Sequence, residues 1–122
     1  MDIYLLLLVA NYIAGKATPP VMPQLYATLA YAGVEVAGLT RVAVFYDDPE
    51  QISDTEVLLS SLSAVGFDNT PDGDADEVWI YDASSGGHRW FKIPLQGGPI
   101  TLVSGGNKTF AAGDLSHTIK TV

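Results

Sequence analysis

The chain has 122 residues, the length of one ordinary domain, and such a domain buries about two thirds of its unfolded surface. The absence of cysteine excludes disulfides, thiolate metal sites and thiol nucleophiles, and a net charge of −8 argues against nucleic acid or anionic membranes as partners. Since 16% of the residues are charged and 48% are hydrophobic, we expect some apolar surface to face other protein subunits.

The first predicted element is a helix over about residues 2–15. Gly15 and Lys16 stand where a helix ends. Asp2 occupies the place of the cations of a signal peptide, and the apolar run is too short to cross a bilayer, so we expect neither secretion nor membrane insertion. The helical i, i+3, i+4, i+7 spacing is followed by Ile3, Leu6, Leu7, Ala10, Ile13 and Ala14.

The opposite side of this predicted helix is apolar as well. A helix that is apolar all round is normally buried on every side. Two interpretations stay open: the helix is buried in the core of its own domain, or it also packs against a neighbouring subunit. The candidate assembly contacts on this side are Tyr4, Leu5, Leu8, Val9 and Tyr12.

The next part of the chain is predicted to form strands. Residues 17–20 break the helix because they contain two prolines. Residues 24–31 and 39–46 alternate in the manner of half-buried strands. Residues 55–62 are compatible with a helical turn or a strand, and the β-branched start favours a strand. Residues 67–77 are rich in Gly, Pro, Asp and Asn, which predicts a loop.

The last third of the chain gives the clearest pattern. Residues 78–81 and 88–93 are apolar runs joined by a glycine-bearing turn, which predicts a β-hairpin. Residues 99–103, 108–111 and 115–120 are three further predicted strands. The sequence therefore predicts one mainly β domain over the whole chain, an antiparallel β-sandwich or barrel-like fold with a short N-terminal helix and strands from about residue 24 onward.

The order of several short motifs resembles a family of small tailed-bacteriophage virion proteins that are tail-fibre-like or capsid-decorating (cement) proteins. The motifs are Thr18-Pro19-Pro20, Leu25-Tyr26-Ala27-Thr28-Leu29, Ile80-Tyr81-Asp82-Ala83-Ser84-Ser85-Gly86-Gly87, Pro94-Leu95 and Phe110-Ala111-Ala112-Gly113-Asp114-Leu115. The resemblance covers both ends and about two thirds of the chain. Residues 34–75 depart from it, because an acidic loop replaces the expected glycine-rich insert.

The resemblance implies a structural protein of the virion and not an enzyme, with no catalytic residue and no cofactor. It implies a decoration or cement protein that stabilises the phage head by packing against other virion proteins, chiefly the major capsid protein. It also favours a homo-oligomer, and a trimer in particular, since decorating proteins commonly sit on local three-fold axes. The alternatives are a tail or fibre component of the same virion and a small carbohydrate-binding module.

An acidic stretch in residues 68–77 is the densest polar feature. Asp72, Asp74 and Asp76 match the first three ligand positions of an EF-hand loop. Glu77, however, occupies the position where that loop requires glycine, and no glutamate follows at the twelfth position. We therefore predict a solvated acidic loop with no metal, and calcium binding remains the alternative.

The other polar residues give no catalytic pattern. His88 and His117 have no second His or Cys at metal-binding spacing, and Ser84 does not lie in a nucleophile elbow.

Four aromatic residues of the predicted hairpin complete the candidate assembly contacts. Because the two strands pair, we expect their rings to form one cluster. This cluster is interpreted as a core stack, with a subunit contact or a sugar-stacking face as the alternatives. The residues are Trp79, Tyr81, Trp90 and Phe91.

Overall fold

The computed structural model describes residues 2–15 and 23–120. Within these ranges one helix, α1 (Ile3–Ile13), precedes a series of short strands. The strands are β1 (Leu25–Tyr31), β2 (Val34–Glu35), β3 (Val42–Val44), β4 (Glu50–Gln51), β5 (Glu56–Leu59), β6 (Val65–Thr70), β7 (Gly73–Ala75), β8 (Glu77–Tyr81), β9 (Arg89–Pro94), β10 (Ile100–Leu102), β11 (Gly106–Phe110) and β12 (His117–Lys120).

The strands form antiparallel sheets, which confirms the predicted mainly β class with a short N-terminal helix. The largest sheet has five strands in the order β2-β1-β8-β9, with β3 also paired to β1. Smaller sheets are formed by β10 with β7, by β11 with β6, and by β12, β5 and β4. In the described part of the chain these sheets do not close into a barrel.

Strand β1 lies in the middle of the five-stranded sheet and is buried on both faces, although the alternating pattern predicted a half-buried strand. Ala27 and Leu29 belong to the hydrophobic core, while Thr28 and Ala30 on the opposite face are also fully buried. Thr28 is paired with the buried Trp79 of β8. The second face is therefore covered by large side chains of the sheet itself.

The core is built from strand residues of the five-stranded sheet and of the two-stranded sheets. Phe67 of β6 and Phe110 of β11 meet edge to face, with ring centroids 6.1 Å apart. Such an edge-to-face contact is a favoured geometry for aromatic rings. The largest fully buried side chains are Phe67, Leu29, Ile80, Leu115, Val65, Val78 and Thr28.

The hairpin predicted between residues 78–81 and 88–93 is confirmed as β8 and β9. Its connection is organised by the carboxylate of Asp82, which accepts the backbone N–H of His88 at 2.7 Å and the indole N–H of Trp90 at 3.3 Å. Gly87 has a φ of +72°, and a Cβ there would lie 2.5 Å from the Asp82 carboxylate. Glycine is therefore required at this position of the turn.

The loop predicted over residues 67–77 is wrong, because this segment contains β6, β7 and the start of β8. Within this segment Pro71, Asp72 and Asp76 are the residues that lie outside strands. The strands form because β6 pairs with β11 and β7 with β10, and the paired residues are at least 25 positions apart in the chain. The polar Asp68 and Asn69 are exposed, while Val65 and Phe67 point into the core.

The prediction for residues 39–46 is too long, since the strand is β3 and covers three residues. Beyond it, Tyr46 forms an isolated antiparallel bridge with Ser61. The strand favoured within residues 55–62 is confirmed as β5. The short strands β2 and β4 were not predicted. Strand β2 follows a two-residue turn at Ala32 and Gly33, both with positive φ, which suits a tight hairpin.

Candidate assembly surfaces

Helix α1 is fixed to the domain at its N-terminal end. The carboxylate of Asp2 accepts a bond of 2.6 Å from Nε of Arg89, and the backbone N–H of Asp2 donates to the carbonyl of Trp90 at 2.8 Å. Both partners belong to β9, the strand against which α1 packs. Leu8 is half-buried and contacts the edge of the hydrophobic core. The helix therefore lies on the domain in a defined orientation.

The opposite face of α1 is exposed and apolar. The exposed fractions are 68% for Ile3, 53% for Leu6, 55% for Leu7 and 78% for Ile13. The interpretation of a helix buried in its own core is therefore wrong for this face, because these residues are exposed and, among the described side chains of the helix, Leu8 is the one that packs against the core. Among the residues that the structure describes, no helix is long and apolar enough to cross a membrane.

The candidate contacts on α1 are placed on different sides. Leu8 faces its own domain, whereas Val9 and Tyr12 are exposed, by 38% and 47% respectively. The side chains of Tyr4 and Leu5 lie outside the described residues.

The candidate contacts chosen from the sequence did not include the residues that α1 exposes most. Ile3, Leu6 and Ile13 were recognised only as the regular stripe of an amphipathic helix, and such a stripe normally faces the core. A sequence signal was nevertheless present. These residues and Ala10 are spaced by three, four and three positions, which is the a/d spacing of helices that pack against other helices.

Two of the candidate hairpin aromatics form a row on the second face of the five-stranded sheet. The rings of Trp79 and Tyr81 are 6.5 Å apart. The guanidinium of Arg89 lies 4.6 Å from the centre of the Trp79 ring, and that of Arg41 lies 3.7 Å from the centre of the Tyr81 ring. Each arginine therefore makes a cation–π contact at one end of the row.

Trp90 and Phe91 belong to the core on the other side, so the four aromatics do not form one cluster. A bulge between Ile80 and Tyr81 shifts the register of β8 and β9. Trp79, Trp90 and Phe91 are at most 6% exposed. Buried rings favour the core-stack interpretation over a flat face for stacking sugars.

Arg41 ties three segments of the chain together. Its guanidinium donates two bonds of 3.1 Å to Glu35, one of 2.9 Å to the carbonyl of Ala83 and one of 2.8 Å to the carbonyl of Gly86. The side chain is 8% exposed. A planar guanidinium with several fixed donors suits this geometry better than an ammonium group. The role of Arg41 is therefore to hold the β8–β9 turn against the end of β2.

An apolar pocket of about 420 Å³ opens between the five-stranded sheet and β12. The ring of His117 stacks on Phe91 with centroids 4.4 Å apart, and the ring of Tyr46 meets Phe91 edge-on. Burial raises the pKa of Tyr46, whose hydroxyl has no hydrogen-bond partner among the described residues. Desolvation lowers the pKa of His117. The pocket lining includes Leu25, Val44, Leu59, Trp90 and Ile119.

Two carboxylates of the segment that was predicted as a solvated loop accept hydrogen bonds from the backbone of neighbouring turns. Asp72 accepts the N–H of Ser104 at 2.7 Å, and Asp76 accepts the N–H of Ala32 at 3.3 Å. Asp74 lies in β7 and is exposed. In residues 2–15 and 23–120 no three His, Cys, Asp or Glu side chains are grouped in a way that would hold a metal ion.

Comparison with known proteins adds no relative: no model of a protein family matches the chain, and no curated protein matches it.

Proposed function

We propose that the chain is a structural protein of a tailed-bacteriophage virion, a decoration or cement protein that stabilises the head by packing against other virion proteins. The observation that carries the proposal is the exposed apolar face of α1, with Ile3, Leu6, Leu7 and Ile13 each more than half exposed. Apolar side chains gathered on one exposed face are typical of a surface that contacts another protein. The order of phage-like motifs described above supports the same conclusion.

The manner of binding follows from this face. Burial of apolar area between neighbouring subunits is favourable by about 25 cal/mol per Å², and it adds to the free energy needed to separate them. The acidic residues lie largely in turns and exposed strand positions, where they keep a particle soluble. The major capsid protein is the expected partner of a head decoration protein.

A direct test uses particles of the phage that encodes the chain, prepared without it. Purified wild-type chain is added back, and its co-sedimentation with heads and the temperature at which the heads release their DNA are measured. We expect binding to heads and a higher release temperature. The Leu6→Glu variant places a charge on the exposed face and should lose both effects, because a charge is costly to bury at an interface.

Leu62→Glu is the matched control. Leu62 is 56% exposed against 53% for Leu6, and it is not a residue of α1: its backbone N–H donates to the carbonyl of Phe45. This variant should still bind. Binding of the wild-type chain to tails and not to heads would place it as a tail or fibre component. Failure to bind any part of the particle would contradict the proposal.

A further inference from the structure

The apolar pocket beside Phe91 is built between two sheets of the domain. Its first wall belongs to the five-stranded sheet and includes Leu25 of β1 and Phe91 of β9. Its second wall belongs to the three-stranded sheet of β12, β5 and β4, where His117 is paired with Leu59. Because hydrogen-bonded strands hold both walls, the pocket is formed before any ligand binds, as is usual for small-molecule sites.

The pocket has a buried floor, an exposed rim and the volume of a ligand site. Val44, Trp90 and Phe91 are at most 4% exposed, whereas Phe45 is 54% exposed. The volume of about 420 Å³ lies within the range of about 300–1,000 Å³ that is typical of ligand pockets. An apolar cavity of about 150 Å³ binds benzene, so this pocket can hold a molecule of roughly 10–15 non-hydrogen atoms.

The described lining of the pocket contains no Asp, Glu, Lys or Arg. Desolvation lowers the pKa of His117, which keeps its ring neutral at pH 7. The side-chain amide of Gln24 donates to the carbonyls of Leu25 and Val44, at 3.0 and 3.1 Å. An ionised ligand would lose its hydration here without gaining an opposite charge from these side chains, which is costly. The lining therefore favours an uncharged ligand.

His117 is the side chain that can bind a polar group of such a ligand. Its ring stacks on Phe91 with centroids 4.4 Å apart, and this contact fixes the plane of the imidazole. In the part of the chain that the structure describes, neither ring nitrogen of His117 has a hydrogen-bond partner. A neutral imidazole has one donor and one acceptor nitrogen, so it can bond to a hydroxyl or a carbonyl group.

We propose that the pocket binds an uncharged, mainly aromatic small molecule with one hydroxyl or carbonyl group, which bonds to His117 while the rings lie between the two sheets. Aromatic rings suit this space because Tyr46, Trp90 and Phe91 offer ring faces and edges to stack against. A sugar does not fit, since most of its hydroxyl groups would lie against apolar walls without partners. The inference goes beyond the proposed virion function and does not depend on it.

Titration of the isotope-labelled full chain with naphthol, followed by nuclear magnetic resonance, tests the proposal. We expect saturable binding of one molecule per chain, with the largest shifts at Leu59, Phe91 and His117. Naphthalene, which has the same rings without the hydroxyl, should bind about two- to tenfold more weakly, as expected for the loss of one hydrogen bond. Naphthoate should also bind more weakly than naphthol, because its carboxylate must lose hydration.

A variant that fills the pocket tests the position of the site. Leu59→Trp should lower the affinity for naphthol by about tenfold or more, because the indole occupies the space of the ligand. Leu62→Trp, the same change at an exposed leucine outside the lining, should bind as the wild type does. If Leu59→Trp does not fold, Ile119→Phe replaces it. Absence of saturable binding, equal affinities of the Leu59 and Leu62 variants, or tighter binding of naphthoate would overturn the proposal.

The contribution of His117 is measured by combining a variant with the two neutral ligands. His117→Phe keeps a ring against Phe91 but has no ring nitrogen. Its affinity for naphthol should fall to that for naphthalene, whereas its affinity for naphthalene should stay that of the wild type. A preference for naphthol that survives in this variant would overturn the assignment of His117.

The two proposals fail in different ways. Leu6→Glu, which changes the exposed face of α1, should lose binding to phage heads and still bind naphthol as the wild type does. A chain that binds heads but not naphthol would contradict the ligand pocket alone. A chain that binds naphthol at Leu59 and His117 but no part of the particle would contradict the virion function alone.

Discussion

The strand body and helix α1 differ in how they satisfy their apolar residues. In the body, residues distant in sequence are brought together by strand pairing, and Phe67, Ile80 and Leu115 are at most 1% exposed. In α1, a residue as apolar as Ile13 is 78% exposed, and the helix is fixed by Asp2 and Leu8. The body therefore holds its stability within one chain, whereas the helix leaves most of its described apolar side chains exposed to solvent.

The largest expected effect lies in the body. Phe67→Ala removes a ring that is 1% exposed and leaves a cavity beside Phe110, which should lower the free energy of unfolding by about 3–5 kcal/mol. The matched change in the helix is Leu7→Ala, at a residue 55% exposed, which should cost less than about 0.5 kcal/mol in the monomer. Urea unfolding at low protein concentration measures both losses. Similar losses in the two variants would remove the distinction between body and helix.

The second effect concerns a contact that the body makes between distant turns. Arg41→Met should lower the free energy of unfolding by about 2–3 kcal/mol, because the carbonyls of Ala83 and Gly86 lose their donor and Glu35 loses its partner. Lys108→Met is the control, since the contact found for this lysine is with the ring of Phe110 at 5.2 Å. We expect less than about 0.5 kcal/mol there. A loss for Arg41→Met no larger than for the control would contradict the bracing role.

The sequence predicted well what depends on local pattern. The helix, the β8–β9 hairpin and the last three strands follow from spacing and turn residues, and the structure has them close to the expected positions. It failed for residues 67–77, because their strands exist through pairing with β10 and β11, and a local pattern does not contain the partner. It also did not give the direction in which α1 faces, since that depends on Arg89, far away in the chain.

The third effect is local to the helix attachment. Arg89→Met removes the ion pair with Asp2, in which the side chains are 30% and 23% exposed, and should weaken the docking of α1 by about 1 kcal/mol. Hydrogen exchange of the Leu6 amide, which bonds to the carbonyl of Asp2, should become faster. The amides of β1 should exchange as before. A general acceleration through the sheet would mean that the helix and the body unfold together, which would contradict the comparison.

The smallest effect is a pH dependence confined to the body. Desolvation lowers the pKa of His117 from its ordinary value of 6.5, so the unfolded chain binds more protons than the folded chain between the two pKa values. Protonation of His117 should therefore leave the free energy of unfolding unchanged above about pH 6.5. It should reduce that free energy as the pH falls from about 6.5 to the lowered pKa, and the reduction should stay constant below the lowered pKa.

His117→Phe keeps a ring against Phe91 and should remove this slope from the urea midpoint measured between pH 7.5 and about pH 5. His88→Gln is the control, because the side chain of His88 is 60% exposed and lies outside the pocket. A slope that survives in His117→Phe would assign the dependence to the carboxylates. Protonation of His117 should loosen the contact between β9 and β12, where its ring stacks on Phe91.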